Sequence, residues 1–275
     1  MECAWKPLLS ILPDWMRQDV DRQGRNQLQE LRLRLGQPPQ LLLGNRIGEL
    51  KRAVTFEDLN FCVNAASRYS PWAASTAAKG YLTAPGGHRI GLCGEGILRN
   101  GKVEGIKNLT SLNIRIARDF PRIADGIPLK GSVLILGAPG WGKTTLLRDL
   151  IRCRSQDQQI SVVDERGELF PWESFDAGKH TDVMRGCPKQ DAIPMLLRTM
   201  GPGCIAVDEI TQEEDTLALL EAAGCGVELM ATVHGTSLDD LRKRSIYRKL
   251  MDADIFDTIV LLRRDKSWKL ERINV

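Results

Sequence analysis

Gly137-Ala138-Pro139-Gly140-Trp141-Gly142-Lys143-Thr144 is the stretch on which the reading of this chain turns. Its three glycines let consecutive backbone amides turn toward one anion, and the positive end of a following helix adds to the same attraction. The pattern is the full phosphate-binding loop. Its chance appearance somewhere in a chain of this length is about one in a hundred at ordinary residue frequencies. The flanks agree, because the apolar run Ser132–Leu136 leads in as a strand and Thr145-Leu146-Leu147-Arg148-Asp149-Leu150-Ile151 continues as a helix. The residues from Gly137 to Thr145 (Gly137, Ala138, Pro139, Gly140, Trp141, Gly142, Lys143, Thr144 and Thr145) are thus the candidate ATP contacts. Lys143 would reach the β- and γ-phosphates, and the Thr144 hydroxyl would ligate Mg²⁺.

Such a loop needs a metal-side carboxylate at the end of a neighbouring apolar strand, and Cys204-Ile205-Ala206-Val207-Asp208-Glu209 supplies one. Asp208 is the second Mg²⁺ candidate, and Glu209 is placed to polarise an attacking water. Between loop and carboxylate lies Ile160-Ser161-Val162-Val163-Asp164-Glu165, another strand ending in acid. Parallel strands bring their C-terminal ends to one edge, where a nucleotide sits, so Glu165 competes with Glu209 for the role of base. Surface charge at a strand end is the plain alternative for Glu165. Ala231-Thr232-Val233-His234-Gly235 ends a further apolar strand, which makes His234 a candidate γ-phosphate sensor.

Outward from these motifs, short apolar strands alternate with helical stretches over Glu213–Ala223 and Leu238–Leu250, the pattern of a parallel sheet covered on both faces. A terminal antiparallel hairpin is expected from Asp257–Leu262 and Ser267–Asn274. Pro121, Gly126, Pro128 and Gly131 interrupt the pattern at 119–131, the expected linker. Before it, Leu28–Leu35 alternates and returns through Gly36-Gln37-Pro38-Pro39 into Gln40–Gly44 as a hairpin. A helix over Thr55–Ala66 and strands over Tyr81–Gly94 and Lys102–Ile116 complete a smaller α+β domain. The expected plan is an N-terminal domain over 1–118, the linker, and an α/β domain over 132–275.

The chain has 275 residues, 43% hydrophobic and 27% charged, with a net charge of +3. That balance suits a globular protein with a sizeable core and weighs against a dedicated nucleic-acid binder. No apolar run approaches the roughly 20 residues of a membrane span, and no signal peptide is visible at the start. The seven cysteines are scattered with no Cys-x-x-Cys, which suits reduced thiols in a cytoplasmic setting. His88 and His180 stand alone, so Mg²⁺ is the only metal the pattern supports. The run Arg242-Lys243-Arg244 with Arg248 and Lys249 reads as a solvated helix face.

Several blocks go beyond a generic nucleotide binder. Val163-Asp164-Glu165-Arg166, Gly178-Lys179-His180-Thr181-Asp182-Val183-Met184-Arg185-Gly186-Cys187-Pro188-Lys189 and Leu197–Pro202 resemble the stage III sporulation protein AA family of endospore-forming bacteria. Glu30–Pro38 and Ser111–Arg118 do so in the first domain. That family is similar to the traffic ATPases of type II and type IV secretion and of pili. The resemblance implies a RecA-like P-loop ATPase domain beside a smaller α+β N-terminal domain, assembled as a hexameric ring. It also implies a mother-cell cytoplasmic ATPase, peripheral to the membrane around the engulfed forespore, that energises a secretion-like channel built by membrane proteins of the same operon. In the traffic ATPases, arginines of the N-terminal domain reach a neighbouring subunit's nucleotide. Arg89, Arg115 and Arg118 are the candidates here, against a plain reading as the solvent face of a strand. This chain departs from the traffic ATPases in carrying Asp208-Glu209 where they usually have Gly-Glu, and it lacks their tetracysteine zinc module. Two other classes stay open: a RecA-like ATPase acting on nucleic acid, which an appended basic module would mark, and a nucleotide-dependent switch, which a missing catalytic carboxylate would mark.

Overall fold

Alternating burial along β1 (Leu28–Arg34) puts Leu28, Leu31 and Leu33 on one face of a sheet and leaves Arg32 and Arg34 on the other. In the computed structural model, which describes residues 3–25, 27–44, 46–67, 80–171 and 175–272, the chain forms two compact units, the main boundary falling between Asp119 and Phe120 and Pro171 being grouped with the first. In the first unit, β1 pairs antiparallel with β2 (Gln40–Leu43), which pairs with β3 (Arg46–Glu49). The other side of β1 takes β6 (Lys102–Arg115), then β5 (Arg89–Arg99) and β4 (Tyr81–Thr83), giving the order β3-β2-β1-β6-β5-β4. Among the described residues the unit's α-helices are α1 (Trp5–Ser10), α2 (Asp14–Gly24) and α3 (Phe56–Ser67). Leu8 of α1, Ile11 and Leu12 of the connection after it, and Met16 and Val20 of α2 are fully buried with Leu31, Leu33, Leu41, Ile90 and Ile114 of the sheet in one core. Burial of each such side chain contributes roughly 1.5–3 kcal/mol. The β5–β6 pair outgrows this core. Every residue of β5 from Cys93 onward is exposed, and the strands turn through Asn100 (φ 52°) and Gly101 (φ 75°), the left-handed pair that a tight hairpin requires.

The second unit is built on a seven-stranded sheet ordered β13-β12-β7-β11-β10-β8-β9. Its strands are β7 (Val133–Gly137), β8 (Ile160–Asp164), β9 (Thr181–Arg185), β10 (Cys204–Val207), β11 (Glu228–His234), β12 (Thr258–Leu262) and β13 (Trp268–Arg272). All pairs are parallel except β12–β13. The five residues of β7 and the five of β8 are buried without alternation, as a sheet covered on both faces demands. The helices are α4 (Lys143–Arg154), α5 (Lys189–Met200), α6 (Glu213–Gly224), α7 (Leu238–Lys243) and α8 (Ser245–Asp252).

Two expectations change in detail. The single helix expected over Leu238–Leu250 is broken at Arg244, which is extended (φ −93°, ψ 124°). Its guanidinium reaches back to Asp240 at 3.1 Å and to the His234 carbonyl at 3.3 Å. The stretch 120–131, which falls within the expected linker, is folded onto the second unit. Asp149 accepts from the Ala124 amide at 2.9 Å, Trp268 Nε1 donates to the Ile123 carbonyl at 3.2 Å, and Glu228 accepts from the Gly131 amide at 2.8 Å. The last two residues of the strand expected to end at Asn274 lie outside the described residues.

Candidate phosphate-transfer site

The topology decides which side chains can meet. β7, β11, β10 and β8 are consecutive parallel neighbours, so the loop after β7, His234 ending β11, Asp208 after β10 and Asp164 ending β8 share one edge. At that edge the loop after β7 turns through Gly140 (φ 76°) and Gly142 (φ 100°), conformations in which a Cβ is penalised. Gly142 is the residue that opens α4, so the helix amides face the loop.

Lys143 is buried at 6% exposure. Its Nζ donates to the Ala138 carbonyl at 3.3 Å and lies 2.8 Å from His234 Nδ1. An ammonium can only donate, so Nδ1 accepts, and Nε2 carries the proton that faces Glu209 Oε1 at 2.6 Å. Burial lowers the Lys143 pKa, and the charges of Asp208 and Glu209 work against that fall. Glu209 Oε2 also meets Arg166 Nη1 at 3.1 Å. Beside this chain, Thr144 Oγ1 donates to Asp208 Oδ2 at 2.8 Å. Thr232, fully buried on β11, donates from Oγ1 to Asp208 Oδ1 at 2.7 Å and accepts the Glu209 amide at 2.8 Å. Burial raises the Asp208 pKa, and the two threonine hydroxyls oppose the rise. Glu209 is in the left-handed region (φ 47°), unusual for a residue with a side chain.

The candidates separate here. Lys143, Thr144, Asp208, Glu209 and His234 come together, and Glu165 is engaged elsewhere. Lys189, buried at the start of α5, meets Glu165 Oε2 at 2.6 Å and Asp215 at 3.6 Å. Asp164, also buried, builds a loop: its oxygens accept the amides of Glu168, Leu169 and Phe170 at 2.8, 3.1 and 3.0 Å. Arg148 of α4 donates to the carbonyls of Leu169 and Glu168 in the same loop. Sequence reasoning gave no site role to Arg166, Thr232, Lys189 or Lys266, whose Nζ donates to the Gly140 carbonyl. Arg166 had a signal, standing one residue after Glu165 on the shared edge. Thr232 and Lys189 stood within motifs already quoted, and Lys266 had no signal.

In the first unit, Arg89 lies over the Tyr81 ring at 4.0 Å, and Arg118 donates to the Leu28 carbonyl at 2.9 and 3.1 Å. Arg115 faces Glu30 at 3.8 Å with 66% of its side chain exposed. Among the described residues no three His, Cys, Asp or Glu side chains converge as a metal site. None of the helices is long and apolar enough to cross a membrane, again among the described residues.

The family model described as sporulation stage III, protein AA matches residues 8–272. Stage III sporulation protein AA of Bacillus subtilis (strain 168) is 36% identical over 284 residues, covering 94% of this chain and 91% of that protein. Among solved structures, the ATPase DotB of Legionella pneumophila superposes with a TM-score of 0.64 at 18% identity, over 95% of this chain and 80% of its own. The pilus retraction motor PilT with bound ADP gives 0.65 at 18% identity, over 94% and 82%. The likeness to these two is one of fold: a RecA-like ATPase domain with a smaller N-terminal α+β unit.

Proposed function

The chain belongs to the sporulation stage III protein AA family, and from that premise we propose that it is an Mg²⁺-dependent ATPase driving a secretion-like channel. The observation that carries this reading is the hydrogen-bonded run Lys143–His234–Glu209 beside the Thr144–Asp208 pair on one sheet edge. Lys143 neutralises the β- and γ-phosphates. Glu209 orients the attacking water, and His234, between base and ammonium, senses the γ-phosphate. The Thr144 hydroxyl and the Asp208 carboxylate are hard oxygen donors that suit Mg²⁺, which when bound would neutralise phosphate charge. In this reading the output of hydrolysis is mechanical work rather than a chemical product.

In this reading the working unit is a hexameric ring in the mother-cell cytoplasm, docked on membrane proteins of the same operon. Arg115, the exposed one of the three arginines, is the best placed to serve a neighbouring subunit's site, where such a group contributes about 10³–10⁵ in rate.

The decisive experiment measures ATP turnover and Mg-ATP affinity of the pure chain and of Lys143→Ala. The variant should lose hydrolysis and bind triphosphate weakly, since each lost charge-assisted bond costs about 1.5–3 kcal/mol. Parental turnover in Lys143→Ala sinks the reading, and binding without any turnover in the parent makes the chain a nucleotide switch.

A further inference from the structure

We infer that Thr232 is a positioning residue for hydrolysis, its hydroxyl fixing which way the neighbouring carboxylates of Asp208 and Glu209 face. The inference rests on the ATPase reading above and deepens it. In the parallel register Ala231 lies opposite Val207, so the next residue, Thr232, is level with the chain as it leaves β10. A hydroxyl has one proton to give and lone pairs to receive. Here the Glu209 amide can only donate, so the Thr232 oxygen accepts it at 2.8 Å and its proton is left for Asp208 Oδ1 at 2.7 Å. The Thr232 carbonyl then accepts the Ile210 amide at 2.9 Å. One residue therefore lashes down three consecutive positions.

What the lashing achieves is visible in the backbone. Successive side chains of an extended strand point to opposite faces, which would drive adjacent carboxylates apart. Glu209 instead takes φ 47°, so that Asp208 meets Thr144 at 2.8 Å while Glu209 meets His234 at 2.6 Å. A non-glycine residue persists in that region only when its surroundings over-determine it. The amide bond to Thr232 is a restraint on the strained residue itself. Valine has nearly the shape of threonine but can neither accept the amide nor donate to Asp208.

The test uses the full chain with Mg-ATP. Thr232→Val should lower kcat at least about tenfold with Mg-ATP affinity within about threefold, and Thr232→Ser should stay within about threefold of the parent. In a Glu209→Gln background, Thr232→Val should lower the residual rate by a clearly smaller factor than in the parent, because the part of its effect that passes through Glu209 is already lost and only the Asp208 part remains. Parental turnover in Thr232→Val, or the same fold loss in both backgrounds, overturns the inference.

Amide exchange followed by NMR reads the clamp without turnover. The Glu209 amide should exchange at least about tenfold faster in Thr232→Val, whereas the Ile210 amide, bonded to the carbonyl, serves as the internal control. Unchanged Glu209 protection overturns the clamp. A parent chain without turnover sinks the ATPase reading instead, and released Glu209 exchange alongside it would leave the clamp standing. Should Thr232→Val not fold, Thr232→Ala removes the same two bonds and carries the same expectations.

Discussion

In the first unit His88 is fully buried between backbone partners, facing the Ala4 carbonyl at 3.0 Å and accepting the Ala117 amide at 3.2 Å. In the second, His234 is partly exposed between two ionisable side chains, Glu209 and Lys143. Arg118 and the polar residues of the strand-end edge repeat that contrast. Arg118 closes backbone carbonyls of its own unit, while Arg166, Lys143 and Thr144 bond to side chains across strand ends. A polar group satisfied by backbone has its geometry settled by folding. One satisfied by other side chains can exchange those partners for a ligand, and the second unit concentrates such groups on one edge.

The contrast is most exposed to test at the carboxylates. Glu209→Gln should lower turnover by about a hundredfold or more with Mg-ATP affinity near the parent's, the loss expected of a water-orienting base. Glu165→Gln should keep turnover within about fivefold and weaken the fold, because it strips the buried Lys189 of a partner. The reverse outcome in steady-state kinetics would make Glu165 the base.

His88 sharpens the contrast from the other side. Burial above all holds its imidazole down to about 4, with the charge of Arg118 lowering it further and the Ala4 bond opposing. Because the folded value lies below the unfolded one, the neutral ring's contribution is complete above about pH 6.5 and is lost as pH falls toward 4. That loss is on the order of 3 kcal/mol. Urea unfolding of the first unit's signal between pH 7 and 4 should show it, with a flatter profile in His88→Gln. Coincident profiles would remove His88 from the account.

A smaller effect belongs to Arg118. Arg118→Met leaves the Leu28 carbonyl short of its donors, so the first unit should lose about 1–2 kcal/mol, with ATP affinity unchanged in parallel titrations. Lost turnover at full stability would instead move Arg118 into a neighbour's active site.

The sequence carried the second unit's edge well, because the glycine loop and the strand-end motifs Asp208-Glu209 and Thr232-Val233-His234 are local and the parallel order follows from them. It carried α1 and α2 poorly. Leu8, Ile11, Leu12 and Met16 keep helical spacing, but Pro7 and Pro13 break the run by eye; in the structure Pro7 sits in the first turn of α1 and Pro13 precedes α2, where a missing amide is harmless. Pro194 hid α5 in the same way. The choice between Glu165 and Glu209 was not legible at all. What sets Glu165 apart from Glu209 in the structure is its ion pair with Lys189, a meeting that only the tertiary fold creates.

The outer half of the β5–β6 hairpin has a ladder of backbone bonds but little side-chain burial beneath it, and Leu98 and Val103 near its turn are 67% and 50% exposed. Opening it therefore breaks hydrogen bonds and uncovers almost no apolar surface. Such an event is nearly insensitive to denaturant and far cheaper than unfolding the unit. The amides of Ile97 to Val103 should thus exchange through local openings whose rate does not track the unit's stability, and a protease should nick the Asn100–Gly101 turn while Leu31, Ile90 and Ile114 remain packed.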